Sequence, residues 1–344
     1  MKSLTRLFTL TLSLATVTVA TAQQPEIDFF RPNDKQGLNV FETKKAPAKE
    51  FKGVTVRVGG DFALQLQGLS HENNLTPADT MAELGTNFNL PSANLNLDIQ
   101  LAKGARLHMR TYLSARHHNE AWVKGGYMQI DDLDFISKGF LSDVMKYTTI
   151  RAGMDEYNYG DTRFRRSDNA RAIYNPFVGN FIMDSFSTEP FAEVTVQYTD
   201  YLLVLGWTNG RLNQNVVGTD NGFALFGKLG YDSQINEDLR VRLTGSFYNS
   251  TKGGTRDYLY GGDRAGSRYY RVLDFAVDSP ASTDNKDDFS GRFNPGFAYH
   301  TAFQINPLVK FQGFEFFGVF EKTSNGDDAV GGSFTQLGAE LLYR

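Results

Sequence analysis

The sequence predicts an all-β fold, a transmembrane antiparallel β-barrel with short periplasmic turns and long external loops. Three observations predict it: strict two-residue alternation, an export leader, and connections that sort by length. The alternation is clearest in "SANLNLDIQLAKGARLHMRTYL", residues 92–113. Leu95, Leu97, Ile99 and Leu101 interleave with Asn94, Asn96, Asp98 and Gln100. After Ala102-Lys103-Gly104, Leu107, Met109 and Leu113 interleave with Arg106, His108, Arg110 and Tyr112. Successive strand residues point to opposite faces, so this is a hairpin with one apolar and one polar side.

The chain opens with Lys2 and Arg6, runs through apolar or small residues over 7–20, and reaches Ala20-Thr21-Ala22 before Gln23. A basic start, a short apolar stretch and a small-x-small site make residues 1–22 a secretory signal peptide. Residues 23–52 follow as a periplasmic N-terminal arm or linker of low order. Pro25, Pro32 and Pro47 punctuate them, and Lys44, Lys45 and Lys49 make them basic. Residues 53–344 are then the barrel.

Composition narrows the class. With 0 Cys, neither disulfides nor thiolate metal sites hold the chain together. A net charge of -4 gives no basic footprint, so nucleic acid is not an expected partner. After the leader no stretch has the length of a spanning helix, so a membrane-embedded mature chain has to cross as a barrel. Richness in Phe, Tyr and Gly suits an exported β-protein, without separating a lipid-embedded barrel from a periplasmic sandwich.

From residue 54 onward the chain reads as twelve runs: 54–69, 92–101, 105–116, 120–130, 147–157, 191–198, 201–210, 222–231, 239–250, 296–305, 309–322 and 334–343. Most have about ten residues, the length of a tilted spanning strand. Links 102–104, 199–200, 232–238 and 306–308 are short, and links 70–91, 158–190, 211–221, 251–295 and 323–333 are long and polar. If the first strand runs outward, the short links fall at one end and the long ones at the other. A soluble sandwich has no reason to sort its loops this way, whereas an outer-membrane barrel does. Two links depart from the rule: 117–119 is a short outer loop, and 131–146 is a long inner one with room for a helical turn around Phe140, Leu141 and Val144. No fixed-period repeat points to a propeller or solenoid.

The stretches "VGGDFALQLQGLSHEN", "LPSANLNLDIQLAKGARLHMRTYLSARHHNEAWVKGGYMQID" and "YNYGDTRFRRSDNARAIYNPFVGNFIMD" resemble porins of the Bacteroidota outer membrane. These are broadly similar to the phosphate-selective and DcaP-like porins, and the resemblance is strongest over 54–190. It implies a sixteen-stranded homotrimeric diffusion channel whose third external loop folds into the pore. The chain departs from that pattern by ending "LGAELLYR", with Tyr343 penultimate and Arg344 last. Twelve runs instead of sixteen also depart from it. A C-terminal truncation of about four strands, or a partly missed strand count, reconciles the two, and a closed twelve-stranded barrel is itself geometrically allowed.

Link 158–190 is the expected pore constriction. It carries Arg163, Arg165, Arg166 and Arg171 with Asp161 and Asp168 interspersed, and enough aromatic side chains to fold compactly. Guanidinium groups in a narrow lumen meet partly dehydrated anions and bind phosphate or carboxylate bidentately. Two other outcomes stay open: the arginines pair with the loop's own carboxylates, or a mixed eyelet orients dipolar solutes. The polar strand face supplies the lumen wall: Asp61, Gln65, Gln67, Asn94, Asn96, Asp98, Gln100, Arg106, His108 and Arg110, with Arg57 and Arg151 beside them.

Chemistry is not expected. Ser114 lies near His117 and His118, but no nucleophile motif accompanies them. His117, His118 and Glu120 are too few for a metal site. The sequence thus predicts an outer-membrane porin of a Gram-negative bacterium, in contact with lipid and passing small hydrophilic solutes without a cofactor, with anion selectivity left open. The competing expectation is a non-channel β-protein, either a structural or adhesive barrel or a periplasmic binding module.

Overall fold

The computed structural model describes residues 24–32, 35–68, 70, 72, 86–114, 122–165, 183–185, 187–210, 222–251, 259–260 and 293–344. The leader 1–22 and the 117–120 histidine segment lie outside them.

Twelve strands form a single antiparallel meander in which each pairs with the next in sequence. They are β1 (Thr55–Gln67), β2 (Asn87–Ala102), β3 (Ala105–Ser114), β4 (Trp122–Ile130), β5 (Thr148–Asp155) and β6 (Glu189–Tyr198). The second half comprises β7 (Tyr201–Thr208), β8 (Ala224–Gln234), β9 (Leu239–Ser250), β10 (His300–Phe311), β11 (Phe314–Asn325) and β12 (Ser333–Tyr343). Each alternating run in the sequence overlaps its strand, with β10 and β11 displaced toward the C-terminus by several residues. No register joins β1 to β12, so the sheet is not closed into a barrel.

The hairpin at 92–113 pairs as the alternation requires, with Asn96 opposite Arg110, Asp98 opposite His108 and Gln100 opposite Arg106. Tight turns at Lys103-Gly104, Thr199-Asp200 and Gln312-Gly313 cluster at one end, and the connections at the other end are longer. The inner link between β4 and β5 contains a four-residue helix, α1 (Ser142–Met145), beside the Phe140-Leu141 pair where a helical turn was expected.

One expected turn is absent. The chain does not turn at 306–308; β10 continues to Phe311 and reverses at Gln312-Gly313. Pro307 has no N–H for the ladder, which ordinarily confines proline to strand edges. Here the β10–β11 register passes over Asn306 and Pro307, and the Asn306 side-chain amide donates to the Gly318 carbonyl at 3.2 Å. Gly318 makes the room: a Cβ there would lie 2.8 Å from Pro307 Cγ.

The distribution of polarity is inverted relative to a water-soluble sheet. Lys228 is 2 % exposed, whereas its neighbour Leu229 is 66 % exposed. The same holds along β9, where Arg242, Thr244 and Ser246 are buried and Leu243 and Phe247 exposed, and along β10, where Gln304 and Asn306 are buried and Phe303 and Ile305 exposed. At the tight-turn end the outer face carries tyrosine and phenylalanine in contact: Tyr147 with Tyr198, Tyr201 with Tyr231, and Phe314 with Tyr343, at ring separations of 5.4, 5.4 and 5.0 Å.

The polar face is covered by two segments. Residues 24–32 and 35–52 run along it, and residues 156–165, with a 3-10 turn at Thr162–Phe164, lie beside them. Phe41 and Phe164 stack edge-on at 5.5 Å and join Leu308, Phe317 and Val319 in a small apolar cluster. Substituting Gly318 by Val should force Pro307 out of place. The expected cost is about 1–3 kcal/mol, typical of overpacking, read as a lower denaturant midpoint; an unchanged midpoint would mean the notch is slack.

Candidate functional site

The arginine-rich link begins where β5 ends, and its first turn brings Asp161, Arg163 and Arg165 onto the polar face. Asp161 is buried and fully ligated. Its Oδ1 accepts from Lys228 Nζ and Arg242 Nη2, each at 2.9 Å, and its Oδ2 accepts from Arg242 Nε and Thr244 Oγ1, each at 2.8 Å. Its backbone N–H donates to Asn306 Oδ1 at 2.9 Å.

Glu42, from the N-terminal segment, completes the same cluster. It accepts from Arg242 Nη2 at 2.8 Å and from the Asn158 amide at 2.8 Å, and its Oε1 lies 3.3 Å from Lys228 Nζ. Arg242 reaches onward to Asp232 at 3.0 Å, and Asp232 also receives the Arg240 fork at 2.8 and 2.7 Å. Three cations therefore face three carboxylates. Unpaired, each charge would be very costly to bury; paired and hydrogen-bonded, they can coexist.

The electrostatics follow from this packing. Burial alone would raise the Glu42 carboxyl, but Arg242 and Lys228 outweigh it and hold the value down, from 4.5 to about 2. Burial opposes ionisation of Asp161 as well, and the same two cations hold its carboxyl far below the usual carboxylate range.

Arg165 is also buried, but its partners come from the last two strands. Nη1 lies 2.6 Å from Glu315, Nη2 lies 3.6 Å from Glu340, and the guanidinium stacks 4.5 Å above the Phe317 ring. Asn39 of the N-terminal segment accepts from Arg165 and donates to Glu315. Thus the described loop charges pair mainly with strand residues and the N-terminal segment, not with one another. Arg163 differs: its Nη1 is buried without a hydrogen-bond partner. Burial and then the nearby Arg151 push its pKa down. Arg166, Asp168 and Arg171 lie outside the described residues.

The β2 and β3 residues expected along a lumen share one face of the sheet. Asn94, Asn96, Asp98, Gln100, Arg106 and His108 are all buried on the polar face. Asp98 Oδ1 takes Arg106 at 3.0 Å and His108 Nδ1 at 2.9 Å, and Arg110 donates to Asn96 at 3.1 Å. Arg57 stacks 4.8 Å from the Phe30 ring, and Arg151 pairs with Glu193 at 2.9 Å while stacking 4.1 Å from Tyr127. Asp61 is half-buried on β1, opposite Asn94. Gln65 and Gln67 belong to β1, opposite Asn89 and Asn87, with only their backbone described.

The residues that sequence reasoning missed are Glu42, Asn39, Lys228, Arg242 and Glu315. Lys228 and Arg242 share the inward parity of their strands, so extending the alternation beyond the first hairpins would have marked them. Nothing in the proline- and lysine-punctuated N-terminal segment distinguishes Glu42 or Asn39.

A cavity of about 120 Å³ remains between the N-terminal segment, the β2–β6 wall and residues 156–164, lined by five arginines and five carboxylates. Among the described residues no group of three or more His, Cys, Asp or Glu has the arrangement of a metal site. No protein-family model matches the chain, and no curated protein matches it.

Because the folded-state value of Glu42 lies below its ordinary one, the stabilisation it gives is complete above about 4.5 and is lost as pH falls toward about 2. Hydrogen exchange of the backbone amides around residue 42 should therefore rise over that window. In Glu42→Gln the rise should already be present at neutral pH, with a weaker pH dependence; identical profiles for the two proteins would refute the linkage.

Proposed function

We propose that the chain forms an outer-membrane β-barrel through which small hydrophilic solutes diffuse, with residues 24–52 and the turn 156–165 narrowing the passage. One observation carries this reading: the inverted polarity of the sheet. Apolar surface gains about 25 cal/mol per Å² on leaving water. A sheet that exposes Leu229, Leu225, Leu205, Leu243 and Ile305 while burying Lys228, Arg242 and Gln304 is built for a solvent other than water on its outside. Lipid fits that requirement.

Two further features support it. The aromatic pairs along the tight-turn edge match the interfacial girdle of membrane barrels. The sorting of tight turns to one end matches a periplasmic side. In lipid no strand edge can stay unpaired, so the barrel reading requires the outer edges of β1 and β12 to be joined, directly or through further strands. Sixteen strands and a trimer are what the resemblance to Bacteroidota porins implies, and they rest on it alone.

The dense packing of the Glu42–Lys228–Asp161–Arg242 cluster favours a second reading, a barrel whose filled interior serves a structural or adhesive role. Planar-bilayer recording separates the two. Steady ohmic steps are expected from the purified protein, and removal of residues 24–45 should raise the step size severalfold. A correctly folded protein that is silent with and without that segment would overturn the channel reading.

A further inference from the structure

The cavity beside β2–β6 has an unusual residue of unmet hydrogen-bonding capacity. Most of its charges are occupied: Arg106 by Asp98 at 3.0 Å and Gln129 at 2.6 Å, and Arg151 by Glu193 at 2.9 Å. Five lining atoms are not. The Nε atoms of Arg106 and Arg151 are buried without a hydrogen-bond partner, and so are Arg163 Nη1, Asp155 Oδ2 and His108 Nε2. His108 and Asp155 are both 3 % exposed, and buried polar atoms are ordinarily paired.

The unmet groups are complementary in type. Arg163 is a cationic donor. Asp155 uses Oδ1 to accept the Glu156 backbone N–H at 2.7 Å, which leaves Oδ2 as a carboxylate acceptor. Asp98 Oδ1 accepts from Arg106 and faces His108 Nδ1, which pairs with it as the donor. In the neutral ring Nε2 is then an acceptor. Three guanidinium donors and two acceptors thus share a space of about 120 Å³.

An anion alone would satisfy the guanidinium donors but leave Asp155 and His108 unmet, and its charge would oppose Asp155. A cation alone would leave the guanidinium unmet. The equal numbers of arginines and carboxylates around the cavity disfavour either net charge.

We propose that this cavity is a binding subsite for a small zwitterion of the amino-acid class, its carboxylate received by Arg163 and its ammonium by Asp155 and His108. As a waypoint for a passing solute it rests on the channel reading; as a binding site it can be tested without it. Desolvation makes each contact stronger than in bulk water, and the site selects by charge separation instead of net charge.

The test is calorimetric titration of the purified full chain with L-alanine, acetate and methylammonium at neutral pH, with bilayer conductance recorded separately. Alanine should bind saturably, at least tenfold more tightly than either ion. Arg163→Gln and Asp155→Asn should each weaken alanine about tenfold, and Arg163→Gln should leave methylammonium unaffected. Acetate binding as tightly as alanine would overturn the proposal in favour of an anion site. Absence of alanine binding in a conducting protein would overturn the subsite and leave the channel standing. Alanine binding to a protein that does not conduct would uphold the subsite and remove the channel, and absence of both would remove both. The comparison of the three ligands on the unmodified chain stands even if a variant fails to fold.

Discussion

A buried ammonium has to be surrounded by oxygen, and Lys228 sets that condition for the whole interior. Four acceptors meet it, from Glu42, Asn158, Gly160 and Asp161, at 3.3, 2.6, 2.7 and 2.9 Å. None belongs to its own strand or to a neighbouring one. The sheet supplies the cation, and two non-strand segments supply the anions and carbonyls. A sheet that turns its charged side inward cannot satisfy that side by backbone pairing alone, because the ladder satisfies only N–H and C=O. The N-terminal segment and the turn after β5 are thus part of the charge balance of the strands.

Such a network is poor evidence for high stability but strong evidence for specific geometry. Replacing one member leaves its partners as uncompensated buried charges, at about 3–5 kcal/mol. Asp161 illustrates the point, since it serves Lys228, Arg242 and Thr244 at once. Its position is further fixed by Gly160, whose φ of 68 lies in the left-handed region and whose missing side chain admits the Gln304 amide. Backbone conformation, a strand amide and a three-residue turn therefore converge to aim one carboxylate.

Much of this was legible in the sequence, and the failures have physical causes. Alternation located all twelve strands because a two-faced sheet imposes period two on every strand whichever side meets water. It also put Asn96, Asp98, Arg106 and His108 on a shared face. It misread 306–308, where Pro307 and its neighbours look like a turn, because the compensating Asn306 amide and the Gly318 notch are tertiary facts. The loop arginines were readable as inward-facing, but their partners were not: Glu315 and Glu340 are 150 and more residues away in sequence, and charge composition does not name a partner. Asn39 and Glu42 were invisible for a different reason. They sit in a segment without periodicity, and their importance comes entirely from what they touch.

The N-terminal segment has a consequence for the order of assembly. It precedes every strand in sequence, yet its anchors lie 186, 200 and 276 residues further along, on β8, β9 and β11. Contacts of such long sequence separation form only after the intervening loops have closed. A segment that precedes the strands in sequence is therefore among the last to find its place. Until β11 has docked, Asn39 has no Glu315 to hold, and the assembling sheet carries its charged face bathed in water. Covering of that face is a late event, and it reports that the far strands have arrived.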